Sequence, residues 1–232
     1  MVKKQENELK QASMAEEAQK APRRTFYDVV IKRILDVVVS GLALIILLPF
    51  FLILSLIIVI SDPGPVFFTQ KRIGIHKKYI KIHKFRSMKM STPHDVPTHL
   101  LKNPDQYITR IGRFLRKFSI DELPQLWDIF VGEMTFVGPR PALWNQDDLV
   151  EARDRYSAND VRPGLTGWAQ INGRDTLEIE DKARYDGIYT AELLKSGWAG
   201  FKMDVKCLFR SVKVVLTHAG EVEGGTGRKE KE

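Results

Sequence analysis

Hydrophobic and polar positions divide this chain unevenly. Residues 1–22 are rich in Lys, Glu, Gln and Ala and almost free of large apolar side chains. Such a stretch cannot bury a core, and it predicts a disordered polar tail. Val37 to Ile60 then runs for 24 residues without a charge, nearly all of them apolar. As a straight helix this would be about 36 Å long, against a hydrocarbon core of about 30 Å. A buried core helix is the plain alternative, but one apolar on every side is out of proportion to a chain of 232 residues. The pattern therefore predicts a membrane-inserted segment over residues 23–62. It lies too deep in the chain for an ordinary signal peptide, and no small-residue cleavage site follows it.

How that segment inserts depends on Pro49 and on charge. Pro49 stands at its middle, where it removes a backbone hydrogen bond and bends a helix. Arg23, Arg24, Lys32 and Arg33 precede it, and Lys71, Arg72, Lys77, Lys78 and Lys81 follow. A spanning helix would place one basic flank outside, against the positive-inside tendency. A helix broken at Pro49 could enter and leave on one face, provided protein partners satisfy the freed backbone. Both readings stay open at this level, with re-entry the better fit to the charges.

Beyond the apolar segment the pattern changes to short elements, expected to form a cytosolic domain over 63–217. Residues 66–69 and 79–85 read as two strands joined around Gly74; the second alternates apolar and polar residues. A solvated edge is the plain alternative. Residues 90–106, with Pro93, Pro97 and Pro104, read as a loop. Tyr107 to Phe118 reads as a short basic helix, and 124–131 as another that stops at Gly132. Residues 142–160 alternate acids and bases and read as a solvated helix. Near the end, Trp198, Phe201, Val205, Leu208, Phe209, Val212 and Val215 are interleaved with Lys202, Lys206, Arg210 and Lys213. That predicts a basic amphipathic helix suited to an anionic membrane surface. Residues 218–232 read as a second disordered tail. The expected fold class is α+β and mostly helical: a Pro-broken re-entrant helix, a small β-hairpin and amphipathic interfacial helices.

The net charge of +7 and the pI near 9.4 admit nucleic acid, anionic lipid or a phosphorylated small molecule as partner. The single cysteine, Cys207, excludes an internal disulfide framework. Five scattered histidines offer no zinc spacing, and the common nucleotide-binding and hydrolase signatures are absent.

Candidate chemistry concentrates in Ser119-Ile120-Asp121-Glu122-Leu123-Pro124-Gln125. Two adjacent carboxylates stand between a basic run (Arg110, Arg113, Arg116, Lys117) and a proline that suits the first turn of a helix. Ser119 with Glu122 fits a capping box, and Asp121 could equally be the cap. The bland reading is that both acids only charge a helix end. Against it, Arg140 is framed by Pro139 and Pro141, a stiff setting better suited to a phosphate than to a solvated charge. Arg162 to Arg174 adds glycines, Trp168 and amides: either close approach to a ligand, with the indole stacking on a base, or a structural turn with a core tryptophan. An ionised aspartate can act as a nucleophile without a base. Its repulsion from phosphate must be offset by arginines and a divalent cation.

These stretches resemble the bacterial sugar transferases, the small monotopic phosphoglycosyl transferases. The match runs through Lys32-Arg33-Ile34-Leu35-Asp36, the apolar segment with Pro49, Phe67 to Gly74, and Lys84-Phe85-Arg86-Ser87-Met88. It continues through Arg116 to Gln125, Gly138 to Pro141, and Arg162 to Arg174. The resemblance implies transfer of a phosphosugar from a nucleotide diphosphate sugar, commonly a UDP-sugar, to polyprenyl (undecaprenyl) phosphate, releasing UMP by a ping-pong route. It implies Asp121 as nucleophile and Glu122 as its partner, with Mg2+ held by Asp121 and Glu122. Arg116, Arg140 and Lys84 would be phosphate-handling groups, with Arg162 and Arg174 further substrate-binding candidates. It also implies a re-entrant helix at the cytoplasmic face of the bacterial inner membrane, with membrane lipid as partner and no nucleic acid; a homo-oligomer stays open. One departure is Leu48, where some members place a serine before the proline. Two competitors remain: a membrane-attached basic scaffold or nucleic-acid binder, and a magnesium-dependent phosphohydrolase using Asp121 and water.

Overall fold

The computed structural model describes residues 24–92, 104–173 and 176–217. The two predicted tails, most of the 90–106 loop and Arg174 lie outside the described residues.

A π-helical turn, Tyr27–Ile31, leads into α1, Lys32–Ser61. Among the described residues this is the one helix long and apolar enough to cross a membrane. Helical backbone continues through Pro49, so any bend there is a kink within one helix rather than a gap. Ser40 and Ser55 turn their hydroxyls back onto the Asp36 and Phe51 carbonyls, at 2.5 and 2.6 Å. Serines in an apolar helix satisfy themselves in this way.

One stripe of α1 is covered by protein. Lys32, Asp36, Ser40, Leu54 and Ile58 are buried, Ala43, Leu44 and Leu47 pack on a core of Ile82, Leu126, Ile129 and Met134, and Phe51 packs with Phe85 and Leu115. Steps of three and four residues place all of these on one helix face. The opposite face is bare, with Ile45, Ile46 and Ile60 each more than 70% exposed.

The hairpin expected around Gly74 is present, with a longer first strand. β1, Phe67–Ile73, pairs antiparallel with β2, Tyr79–Phe85. α2, Arg110–Lys117, is capped by Thr109, whose hydroxyl accepts the Gly112 N–H at 2.8 Å. α3, Gln125–Val131, ends at Gly132 in the left-handed region, φ 96°, as a helix-stopping glycine should. β3, Thr135–Val137, pairs parallel with β4, Gly164–Thr166. Between them lies α4, Asp147–Asp154. The expectation of a solvated helix here is corrected on one side: Leu149, Ala152 and Arg153 are buried. Arg153 donates to Asp186 at 2.6 Å, an ion pair that alternating charge along the sequence does not reveal.

The chain closes with α5, Trp168–Ile171, α6, Ile179–Lys195, and α7, Gly197–Thr217. The predicted amphipathic terminal helix is observed. Met203, Asp204 and Cys207 of α7 face inward, while Trp198, Phe201, Leu208, Phe209 and Val212 are exposed. Tyr27, Val137, Val161, Tyr189 and Leu193 join Met203 and Cys207 in a core that fastens α6 and α7 to the root of α1.

Candidate active site

The two carboxylates are placed by a sharp change of direction after α2. Ser119 takes φ 53°, ψ 22°, an uncommon left-handed conformation for a non-glycine residue. It turns the chain into a single 3-10 turn, Ile120–Glu122. The expected capping box is not formed. Ser119 makes no side-chain cap, its carbonyl instead accepting the Glu122 N–H at 3.2 Å, and α3 begins a turn later behind Pro124. Ile120 packs beside Phe85 and Leu115, which anchors the turn against β2. The acids are therefore held by packing, one step ahead of the helix they were expected to cap.

Glu122 receives the close contacts. Lys84 Nζ lies 2.6 Å from Glu122 Oε1, and Arg140 reaches the same oxygen at 2.6 Å and Oε2 at 3.5 Å. These cations hold its carboxyl well below the usual carboxylate range, although burial pulls the other way. Asp121 is 8% exposed and behaves oppositely. Burial raises its pKa, opposed by Lys84, helped by the Glu122 charge, and opposed again by Arg116 and Arg140. Two neighbouring acids thus divide the work: one is locked as an anion between bases, the other keeps a more basic carboxylate. Arg116 is held by donation from its Nε to Ser87 Oγ at 2.9 Å.

Arg140 owes its position to two strands and two other arginines. Gly138 N–H donates to Thr166 O at 2.8 Å and Gly164 N–H to Pro139 O at 2.9 Å. A Cβ at Gly164 would sit 2.1 Å from Gly138 N, and one at Gly167 2.1 Å from Gly138 O. These glycines serve the approach of chain to chain, which settles the structural half of the earlier alternative for them. Trp168 packs at the edge of the α6–α7 core, with Lys206 4.4 Å and Arg210 5.6 Å from its ring. Arg153 donates to the Arg140 carbonyl at 2.9 Å and Arg72 to the Pro141 carbonyl at 3.1 Å.

Of the other expected site residues, Arg162 falls elsewhere. The charges it feels are those of Arg24, Arg33, Asp36 and Asp28 at the root of α1, whereas Asp121 feels Lys84, Glu122, Arg116 and Arg140. Pro49 lies within α1. Arg72, counted from sequence only as part of a basic flank, belongs to the site. Burial and the Arg140 charge push its pKa down to about 10, with Glu122 opposing, so it remains a cation at neutral pH. Ser87 and Arg153 were also missed. A serine inside Lys84–Met88 carried no charge signal, and Arg153 was hidden among solvated neighbours.

Among the described residues no group of three or more His, Cys, Asp or Glu side chains could by itself hold a metal ion. Magnesium does not require one, since it commonly takes one or two carboxylates together with substrate phosphates. Both Glu122 oxygens are engaged by cations. Asp121 makes no hydrogen bond or ion pair of that kind among the described residues, which makes it the better oxygen donor of the two. Asp121 is the residue that could hold a magnesium ion here, in company with substrate phosphates.

The sequence profile of the family described as bacterial sugar transferase matches residues 27–218. A UDP-glucose:undecaprenyl-phosphate glucose-1-phosphate transferase of Escherichia coli is 39% identical over 189 residues, covering 78% of this chain and 39% of that protein. An exopolysaccharide production protein of Rhizobium leguminosarum is 38% identical over 201 residues, covering 82% of this chain and 97% of that protein. An undecaprenyl-phosphate galactose phosphotransferase of Salmonella typhimurium is 34% identical, covering 82% of this chain and 41% of its own length. The chain thus spans about two fifths of several of the curated relatives that it matches. With the profile running from the root of α1 to the end of α7 and through every element of the carboxylate site, the chain belongs to the bacterial sugar transferase family.

Proposed function

We propose that this chain transfers a phosphosugar from a nucleotide diphosphate sugar, with a UDP-sugar as the expected donor, to polyprenyl phosphate. In the first half-reaction an Asp121 carboxylate oxygen attacks the sugar-bearing phosphorus. The bond from that phosphorus to the bridging oxygen breaks, and the nucleoside monophosphate leaves with the bond's electron pair. In the second, a phosphate oxygen of the polyprenyl acceptor attacks the same phosphorus and the Asp121 carboxylate is regenerated. Lys84, Arg116 and Arg140 stabilise charge on the transferring group, and Glu122 keeps Lys84 and Arg140 oriented before substrate arrives. Magnesium, when bound, would neutralise part of the phosphate charge, held by Asp121 with donor phosphate oxygens.

The observation that carries this reading is the unequal treatment of the two acids. A merely structural pair would have both carboxylates tied to the surrounding bases. Here Glu122 takes the close ion pairs, and buried Asp121 is left with a raised pKa. The relatives' names support the reaction class, and they differ in the sugar: glucose, galactose and N-acetylgalactosamine.

The covered stripe of α1 supports a re-entrant membrane pose. Thirty residues of helix are about 45 Å long, and one polar domain lies against that stripe from Lys32 to Ile58. A helix spanning a hydrocarbon core about 30 Å thick would drag that domain into lipid. Entry and exit on one face, with the bare side of α1 and the Pro49 region in the bilayer, avoids this. Nucleotide sugars are made in the cytosol, which puts the domain at the cytoplasmic face, and the product would begin assembly of a surface glycan.

The test is UMP release by detergent-purified protein with magnesium across a UDP-sugar panel, with and without undecaprenyl phosphate. Acceptor-dependent UMP from one sugar is expected. Equal release without lipid would make the protein a phosphohydrolase instead, and no release from any nucleotide sugar would remove the enzyme reading.

A further inference from the structure

Arg140 projects from the segment that links β3 to α4, and nothing in that segment's own sequence fixes the direction of its guanidinium. The fixing comes from outside. On one side, buried Arg153 holds the Arg140 carbonyl while paired with fully buried Asp186. On the other side β1 reaches across: Ile73 N–H donates to Ala142 O at 2.9 Å, and Arg72 forms an antiparallel bridge with Leu143. The Arg72 side chain completes this contact. One nitrogen of its fork donates to Pro141 O at 3.1 Å, the other to Gln70 Oε1 at 2.6 Å, and its Nε is buried without a partner among the described residues.

We propose that Arg72 is a positioning residue for the phosphosugar transfer assigned above: its forked guanidinium clamps the Pro139–Pro141 loop to the hairpin, so that Arg140 points at Glu122 and the donor phosphates. This rests on that reading for its kinetic consequences, but not for its structural ones. The arrangement has a chemical logic. Two guanidinium groups brought near one another repel, and Arg72 is close enough for Arg140 to depress its pKa. Glu122 offsets part of that repulsion before substrate binds, and donor phosphates would offset more, as in a preorganised phosphate site. Lysine could not replace Arg72, because a single ammonium on a flexible stem does not reproduce a fork that meets Pro141 O and Gln70 Oε1 together.

Arg72→Met, Arg72→Lys and Arg140→Ala, singly and as Arg72→Met/Arg140→Ala, form the test in full-length protein. Hydrogen exchange by mass spectrometry over residues 138–146 should be about tenfold faster in Arg72→Met, with α6 and α7 unchanged, as expected for loss of a local clamp. Unchanged exchange in that segment would overturn the clamp. In turnover, Arg72→Met should lower kcat about 30-fold or more with Arg140 present, but less than about threefold in the Arg140→Ala background. Equal losses in both backgrounds would mean that Arg72 acts on substrate itself, and would overturn the positioning role. Arg72→Lys should stay impaired; full activity would show that the fork is not what matters. If wild-type protein turned over no nucleotide sugar, the transfer reading would fail while the exchange result still decided the clamp.

Discussion

Two of the buried charge groups among the described residues are built on opposite rules. At the root of α1, Asp204 accepts hydrogen bonds from Tyr27 and Tyr189, both at 2.8 Å, and pairs with the Lys32 ammonium. Within this pair one carboxylate faces one ammonium, and both carboxylate oxygens are engaged. At the carboxylate turn, Lys84, Arg116, Arg140 and Arg72 act on Asp121 and Glu122. Four bases against two acids leave an excess of two positive charges, and Asp121 stands apart from the close pairs. A closed cluster has nothing left to bind and serves packing; an open, cation-rich one is completed by an anion. The pyrophosphate of a nucleotide diphosphate sugar carries the charge that would balance it.

Substitutions in the two clusters should separate accordingly. The largest effect is expected from Asp121→Asn: transfer falls by about 10⁴-fold or more, as for other covalent nucleophiles, while thermal unfolding is little changed. Substantial remaining turnover would return Asp121 to structure. Lys32→Met should do the reverse. It leaves Asp204 buried without its cation and costs about 3–5 kcal/mol of stability, read by denaturant unfolding in detergent, with turnover of the folded fraction preserved. Stability unchanged and activity lost would erase the contrast between the clusters. Arg140→Ala should lower kcat by about 10²–10³-fold, and unchanged kinetics would make that arginine structural. The smallest effect concerns pH. On the proposed route Asp121 must be ionised to attack, and its folded pKa is raised, so the acid limb of kcat/KM should lie above the usual value of about 3.9 for aspartate. Glu122→Gln removes a charge that raises the Asp121 pKa, so the limb should move to lower pH in that variant. A shift to higher pH would contradict the assigned coupling.

Legibility in the sequence followed the range of the interactions. The apolar run, the hairpin around Gly74, the Gly132 stop and the basic terminal helix are local patterns, and each appears as an element. The acids and Arg140 were visible as residues in unusual settings, and Glu122 and Arg140 do meet across 18 positions of chain. The capping box was not realised, because packing of Ile120 and the left-handed Ser119 decide the turn rather than side-chain capping. Arg72, Ser87 and Arg153 act through partners 69, 29 and 13 residues away, a distance at which local periodicity carries no information. Arg162 opens the glycine-rich motif, and its side chain feels the charges at the root of α1 rather than those around Asp121.

The account turns on a phosphorus–oxygen bond to Asp121. Intact-protein and peptide mass spectrometry after rapid mixing with the UDP-sugar that supports turnover, in the absence of polyprenyl phosphate, tests it directly. The prediction is a mass increase equal to one phosphosugar on the peptide holding Asp121, absent in Asp121→Asn and discharged on adding lipid phosphate. Acceptor-dependent UMP release with no adduct, or an adduct on another residue, would contradict it.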